Sequence, residues 1–340
     1  MTEEELKIHH LAGHHLLAPV DGKTVVRDLC GVQAQFFSNA VHAVKIRGGA
    51  LETDPAGYIK SWTVRGTMHV FAAEDLSLFL HRDRDHFLRP RDTLETDECI
   101  SRERKRYFAD VIVEQIAAGA KTREALRQVC FDRGMTEREA ESVFDPWGGT
   151  VRALCEAGVM AYEAGEKKIF RLCQAFEPME REAARLEMAR RYFTHYGPAT
   201  VKDAAYFFAA KQAEVKSWLS RLPVTAAEYG GRTYYSIDSG ENCGYDIPEC
   251  IFLAGFDPLM LGYEKRESVY LPPEHLRKIF SLAGIVSPAL LLRGNVAGKW
   301  KRTGKKVTVT PFESLTRKDK VSIEACAHGL WPELRSVEYI

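Results

Sequence analysis

Residues 61–76 read SWTVRGTMHVFAAEDL. The stretch is predicted to be extended, with a turn inside it and another helix starting at Glu74. What stands before it gives it meaning. Over residues 4–17 the apolar positions Leu6, Leu11, Leu16 and Leu17 suit a helix stopped by Pro19. A second helix is expected over residues 24–37, where Val25, Leu29, Val32 and Phe36 recur every three or four residues. Asp54 can cap a third, short helix with Pro55 in its first turn, running to Trp62. Three helices followed by a strand pair is the order of a winged helix.

That order returns twice. Residues 106–172 hold a helix around DVIVEQIAAG, a second opening at Thr122, a third near GGTVRALCEAG, and a hairpin pattern in VMAYEAGEKKIFRL. From Arg181 a helix runs to Tyr196. Thr200 and Asp203 then cap another, KQAEVKSWLSRL gives a third, and TAAEYGGRTYYSI a strand pair with a Gly-Gly turn. The last ninety or so residues differ in kind: IFLAGFDPLMLGY reads as a buried strand and turn, and SPALLLRGNVAGKWKRTGKKVTVTPF as three strands joined at Gly294-Asn295 and Thr303-Gly304. A final helix is expected over residues 318–330. The expected fold class is therefore α+β and mainly helical: three tandem winged-helix (helix-turn-helix) units at 1–95, 100–175 and 180–240, then a C-terminal β-rich module at 248–340.

At 340 residues the chain exceeds one ordinary core. Forty-seven basic and forty-seven acidic side chains cancel, so a nucleic-acid partner would require local basic patches rather than an overall charge. The eight cysteines form no CxxC pair and lie mostly in apolar segments, the pattern of free thiols in a reducing compartment. The N-terminus MTEEELKIHH is acidic, and no stretch approaches the ~18 uncharged apolar residues of a membrane helix. A cytoplasmic protein is expected.

Four segments together carry a resemblance: LLAPVDGKTVVRDLCGVQAQF, SWTVRGTMHVFAAEDL, YGPATVKDAAYF and GFDPLMLGYEKR. They resemble the bacterial tandem winged-helix DNA glycosylases of the AlkZ/YcaQ type, over nearly the whole chain. The resemblance implies three winged helices and a β-rich module forming a concave DNA-binding surface, and removal of alkylated purines, including bases joined in interstrand crosslinks. The family's catalytic triplet is glutamine, an apolar residue, then glutamine or aspartate. Here it falls on Gln33-Ala34-Gln35 and looks like the double-glutamine branch associated with crosslink unhooking.

Two neutral amides constrain the chemistry. A glutamine offers a carbonyl acceptor and two N–H donors, and takes no proton as a base near neutral pH. Hydrolysis of an ordinary N-glycosidic bond calls for an acid on the leaving base or a carboxylate facing the sugar cation. A purine alkylated at N7 or N3 is already cationic and leaves unprotonated, so amides that hold a water against C1′ and lower the cost of the sugar cation suffice. No lysine follows the motif before Lys45, which favours water over an amine nucleophile. The alternative is structural: on a regular helix Gln33 would lie about 40° from Leu29, near the buried side, with Gln35 roughly 200° away toward solvent.

Further candidates are Arg65, Thr67 and His69, which would share one face of the extended segment after Trp62, and Asp257, which precedes Pro258 and could instead shape a turn. His10 and His14 are spaced i, i+4 but lack a third ligand and are expected at the surface, with no metal or other cofactor. For DNA the candidate footprints are Lys299, Trp300, Lys301, Arg302, Lys305 and Lys306 around one turn, and Arg104 and Lys105 between Arg102 and Arg106. Trp300 and Tyr234-Tyr235 could stack on bases or belong to the core. The expected partner is double-stranded DNA with alkylated purines or crosslinks, met by a monomeric, nucleoid-associated enzyme of base excision repair. The rival expectation is a winged-helix transcription regulator without enzymatic activity.

Overall fold

Threonine, serine and aspartate write most of the helix starts. Thr2 with Glu5, Thr136 with Glu139, Thr200 with Asp203 and Thr316 with Asp319 each close a reciprocal capping box, and Asp21, Ser101 and Thr122 cap through their side chains alone. The computed structural model describes residues 1–51, 57–80, 99–145, 148–238 and 244–340. They belong to two units, Met1–Leu51 with Met188–Ile340, and Glu52–Glu187.

The first unit opens with α1 (Glu3–Gly13), α2 (Gly22–Asp28), the two-residue strand β1 (Val32–Gln33) and α3 (Phe37–Lys45). The helix expected over 24–37 is thus cut short, and α3 was not anticipated. In the second unit come β2 (Tyr58–Trp62), a 3-10 turn at Val64–Gly66, β3 (Met68–Ala72) and the single turn α4 (Leu76–Phe79). The helix expected to end at Trp62 is therefore a strand there. YIKSW has β-branched and aromatic residues, and all but its last are buried because β2 pairs with neighbours on both edges. Asp54 and Pro55 lie outside the described residues. The helix expected from Glu74 shrinks to a 3-10 turn and α4.

The second unit continues with α5 (Arg102–Ala117), α6 (Arg123–Asp132), α7 (Glu137–Val143), α8 (Thr150–Glu156), β4 (Met160–Tyr162) and β5 (Phe170–Leu172). Its strands run in the order β3-β2-β4-β5. Phe108, Ile112, Leu126, Leu154, Met160 and Phe170 make the core beneath them.

After α9 (Arg181–His195), the first unit resumes with α10 (Val201–Phe208), α11 (Gln212–Leu219), β6 (Thr225–Tyr229) and β7 (Arg232–Ser236). Both turn residues between β6 and β7, Gly230 and Gly231, have positive φ, as a tight two-residue hairpin requires. The C-terminal part contains β8 (Cys250–Phe252), α12 (Pro258–Leu261), α13 (Leu276–Ile279), β9 (Ala289–Leu292), β10 (Asn295–Thr303), β11 (Lys306–Pro311), α14 (Arg317–Leu330) and β12 (Ser336–Tyr339). Its sheet has the order β12-β11-β10-β9-β8, antiparallel except for the parallel β11–β12 pair. Inward residues Phe252, Leu290, Trp300, Val307 and Val309 meet Ile323 and Ala327 of α14. Among the described residues no helix is long and apolar enough to cross a membrane.

Candidate active site

Asp21 starts α2 by accepting the amide protons of Lys23 and Thr24 at 2.9 and 3.0 Å. The helix stops because Cys30 and Gly31 both adopt left-handed φ, 55° and 81°, and the N–H of Gly31 closes onto the Val26 carbonyl at 2.7 Å. Past that turn the chain is extended over β1, Val32–Gln33, and bends at Gln35 and Phe36 before α3 begins. Val32 and Ala34 are packed inward, Gln33 is 7% exposed with interaction partners of its own, and Gln35 opens to solvent. The pair therefore combines one enclosed amide with one accessible amide.

Gln35 leads through Phe36 into α3, whose inner face is Ala40, Ala43 and Val44. Behind α3, Arg47 and Asp257 form an ion pair with neither side chain exposed. Arg47 donates to Oδ1 and Oδ2 of Asp257 at 2.8 and 3.2 Å and to the carbonyls of His14 and Ala43 at 2.8 and 2.7 Å. Asp257 also accepts from the N–H groups of Ala254 and Leu259, the latter as N-cap of α12. Both its oxygens are thus engaged twice, and its place is that of a buried brace for the turn 254–257. That turn touches α3 directly, since a Cβ on Gly255 would lie 2.8 Å from the Asn39 amide nitrogen.

A cluster that escaped the sequence reading sits where α1, α2 and α9 end. His15 Nε2 lies 3.0 Å and His195 Nε2 3.7 Å from Asp28 Oδ2, and Arg27 holds the other oxygen at 3.0 Å. One ligand atom from each of His15, Asp28 and His195 falls within 4.8 Å of the others, so these three could hold a metal ion. Burial pushes the His195 imidazole down to about 4. Nothing in spacing could have found this group, because its members are far apart in sequence. His10 and His14, expected at the surface, are instead buried: His10 bridges the Pro198 carbonyl (2.7 Å) and the Tyr270 hydroxyl (3.0 Å), and His14 meets the Tyr263 hydroxyl at 3.2 Å. Apolar packing of α1 on both sides took precedence over their polarity.

In the second unit the expected shared face of Arg65, Thr67 and His69 does not form. Arg65 lies in the 3-10 turn at φ 57°, not on a strand. Thr67 closes that turn, its hydroxyl donating to the Val64 carbonyl at 3.1 Å. Only His69 is on β3. It is buried, its Nδ1 lies near Thr63 Oγ1 (3.0 Å) and the Thr67 carbonyl (3.1 Å), and burial lowers it to about 3. The Arg104 side chain grips Glu139 with two bonds of 2.6 and 3.0 Å and stacks over Phe108, while Lys105 is buried with partners of its own. Arg104 is thus paired with Glu139 inside its own unit.

The β10–β11 hairpin differs. Lys299, Lys301 and Lys305 are exposed and form no ion pair among the described residues, whereas Arg302 pairs with Glu333 and Lys306 with Glu338 (3.0 Å). Trp300 points the other way: it is 9% exposed, donates its indole N–H to the Leu253 carbonyl at 2.9 Å and packs against His42, Phe252 and Trp331. Most of its surface is in the core, and what remains lines a cleft. Tyr234 is buried as well. The hairpin walls a cleft of about 910 Å³ whose other side is the start of α3, with Ser38, Asn39, Lys299, Lys301 and Trp331 among its lining.

The family described as DNA glycosylase AlkZ-like matches residues 26–331. The chain belongs to this family. The AlkZ-like match spans the Gln33-Ala34-Gln35 stretch, the Asp257 brace and the basic hairpin. The curated protein named interstrand DNA cross-link repair glycosylase, from Streptomyces sahachiroi, is 26% identical over 331 residues, covering 88% of this chain and 87% of its own. The solved structure of Streptomyces sahachiroi DNA glycosylase AlkZ superposes with a TM-score of 0.80 at 20% identity and full coverage of both chains, a likeness of fold.

Proposed function

We propose that this AlkZ-like protein is a monofunctional DNA glycosylase that hydrolyses the N-glycosidic bond of cationic alkylated purines, N7-alkylguanine and N3-alkyladenine, and unhooks interstrand crosslinks built on them. The observation that carries this reading is the helix break at Cys30-Gly31, after which Gln33 lies on the short strand β1 and Gln35, two residues on, is exposed just before α3. One amide then orients the water and the other faces the sugar, whose developing positive charge the carbonyl dipoles stabilise. The restriction to charged leaving groups rests on what stands around the motif. Asp28 is bound to His15 and Arg27, and Asp257 to Arg47, so neither is placed to protonate a departing base.

Three winged helices are the arrangement we infer for the helical part, from the order along the chain of α1–α3 with β2–β3, of α5–α8 with β4–β5 and of α9–α11 with β6–β7. Exposed Lys299, Lys301 and Lys305 fit a phosphate-binding role for the hairpin. The test is direct: purified protein is incubated with a duplex containing N7-methylguanine, and the supernatant is chromatographed. Free N7-methylguanine supports the assignment; an intact duplex with sequence-selective binding supports a regulator instead.

A further inference from the structure

Phe36 follows Gln35 directly and is the exposed phenylalanine among the described residues, with 47% of its surface open. Its ring neighbours that of Phe256, ring centroids 6.0 Å apart and planes 29° from parallel. Phe256 itself is buried and held at φ 56°, a conformation that bulky residues rarely adopt. Two anchors keep it there: its N–H donates to the Val286 carbonyl at 3.2 Å, and the next residue, Asp257, is clamped by Arg47. The close approach of Gly255 to Asn39 fixes the same turn against the first turn of α3. A solvent-facing ring is thus mounted on a rigid, strained support beside the accessible glutamine.

The surroundings indicate what covers it. Two and three residues on, Ser38 and Asn39 line the cleft whose far wall carries Lys299 and Lys301. An exposed aromatic ring two residues before a cleft that carries lysines with no ion pair among the described residues matches a ligand that joins π faces to phosphates.

Building on the glycosylase reading, we propose that Phe36 stacks on the base next to the lesion and so seats the lesion's C1′ at Gln35. The experiment compares wild type, Phe36→Ala and Phe36→Trp on a duplex with N7-methylguanine and 2-aminopurine beside it. Single-turnover release at saturating protein and 2-aminopurine quenching are both read. Phe36→Ala should lower release by about 5- to 150-fold, the range of one missing base–aromatic stack, and abolish the quenching. Phe36→Trp should restore both, its added indole fluorescence falling on DNA binding. Wild-type release in the alanine variant, or slow release with quenching unchanged, would overturn the assignment. The two readings fail separately: Phe36-dependent quenching without any base release keeps the stack and removes the glycosylase, and release without that quenching does the reverse.

Discussion

Arg47 and Asp257 meet through two hydrogen bonds of 2.8 and 3.2 Å with no exposure of either side chain. The pair ties the end of α3 to the turn that carries Gly255 and Phe256, so Asp257, a candidate for active-site support in the sequence, braces that turn. Removing one partner strands a buried charge, at a cost of about 3–5 kcal/mol. Asp257→Ala should therefore lower unfolding free energy by that order in urea titrations. Replacing both residues with apolar ones of similar volume should recover much of the loss.

Two amides have no titration near neutral pH, so the single-turnover rate on N7-methylguanine should be flat between about pH 6 and 9. A bell-shaped profile measured by stopped-time release would reveal an acid or base outside this account.

Stability, unlike rate, should depend on pH. Burial holds His10 and His69 near 3 and His195 near 4, below the ordinary 6.5. The unfolded chain takes up these protons near 6.5 and the folded chain does not, so stability falls as pH drops from about 6.5 toward 4. Each such group contributes a slope of up to about 1.4 kcal/mol per pH unit. His69→Gln should flatten the wild-type slope, measured by urea titrations at pH 7, 6 and 5, by up to one proton.

The C-terminal strands are legible because alternation and Gly turns agree there: β9, β10 and β11 turn at the two places the sequence marks. The helix over 24–37 is not. Val25, Leu29, Val32 and Phe36 keep a helical period across Gly31, and a short buried strand such as β1 shows the same apolar run as a helix. Gly31 was the available stop signal, and Cys30, which shares its left-handed conformation, gives none. Arg65 failed for a related reason, since two-residue spacing says nothing once a turn intervenes. In the sequence Phe36 has the spacing of one more apolar helical position, and its exposure follows only from the break before it.

The hairpin should supply sequence-indifferent, salt-sensitive affinity. Lys299→Ala with Lys301→Ala and Lys305→Ala should weaken binding to undamaged duplex and reduce the slope of log K against log salt by about one for each phosphate no longer neutralised. Lys306→Ala should do less, because Glu338 already holds that amine. Fluorescence anisotropy over a salt series distinguishes the two.

If no proton donor serves the leaving base, N7-methylguanine and N3-methyladenine should be released while uracil, hypoxanthine and 8-oxoguanine stay in place. Chromatography of products from five otherwise identical duplexes checks this, and excision of any neutral base would point to an acid.

Gln33 and Gln35 are proposed to act together on one glycosidic bond. Single-turnover release from an N7-methylguanine duplex, measured with binding isotherms for Gln33→Ala and Gln35→Ala, tests it most directly. Each substitution should slow release by about 10- to 1,000-fold, the range expected when polar stabilisation of a transition state is removed, and leave binding nearly unchanged because neither amide carries phosphate-binding charge. Wild-type rates in both variants would contradict the account and leave the two glutamines as structural residues.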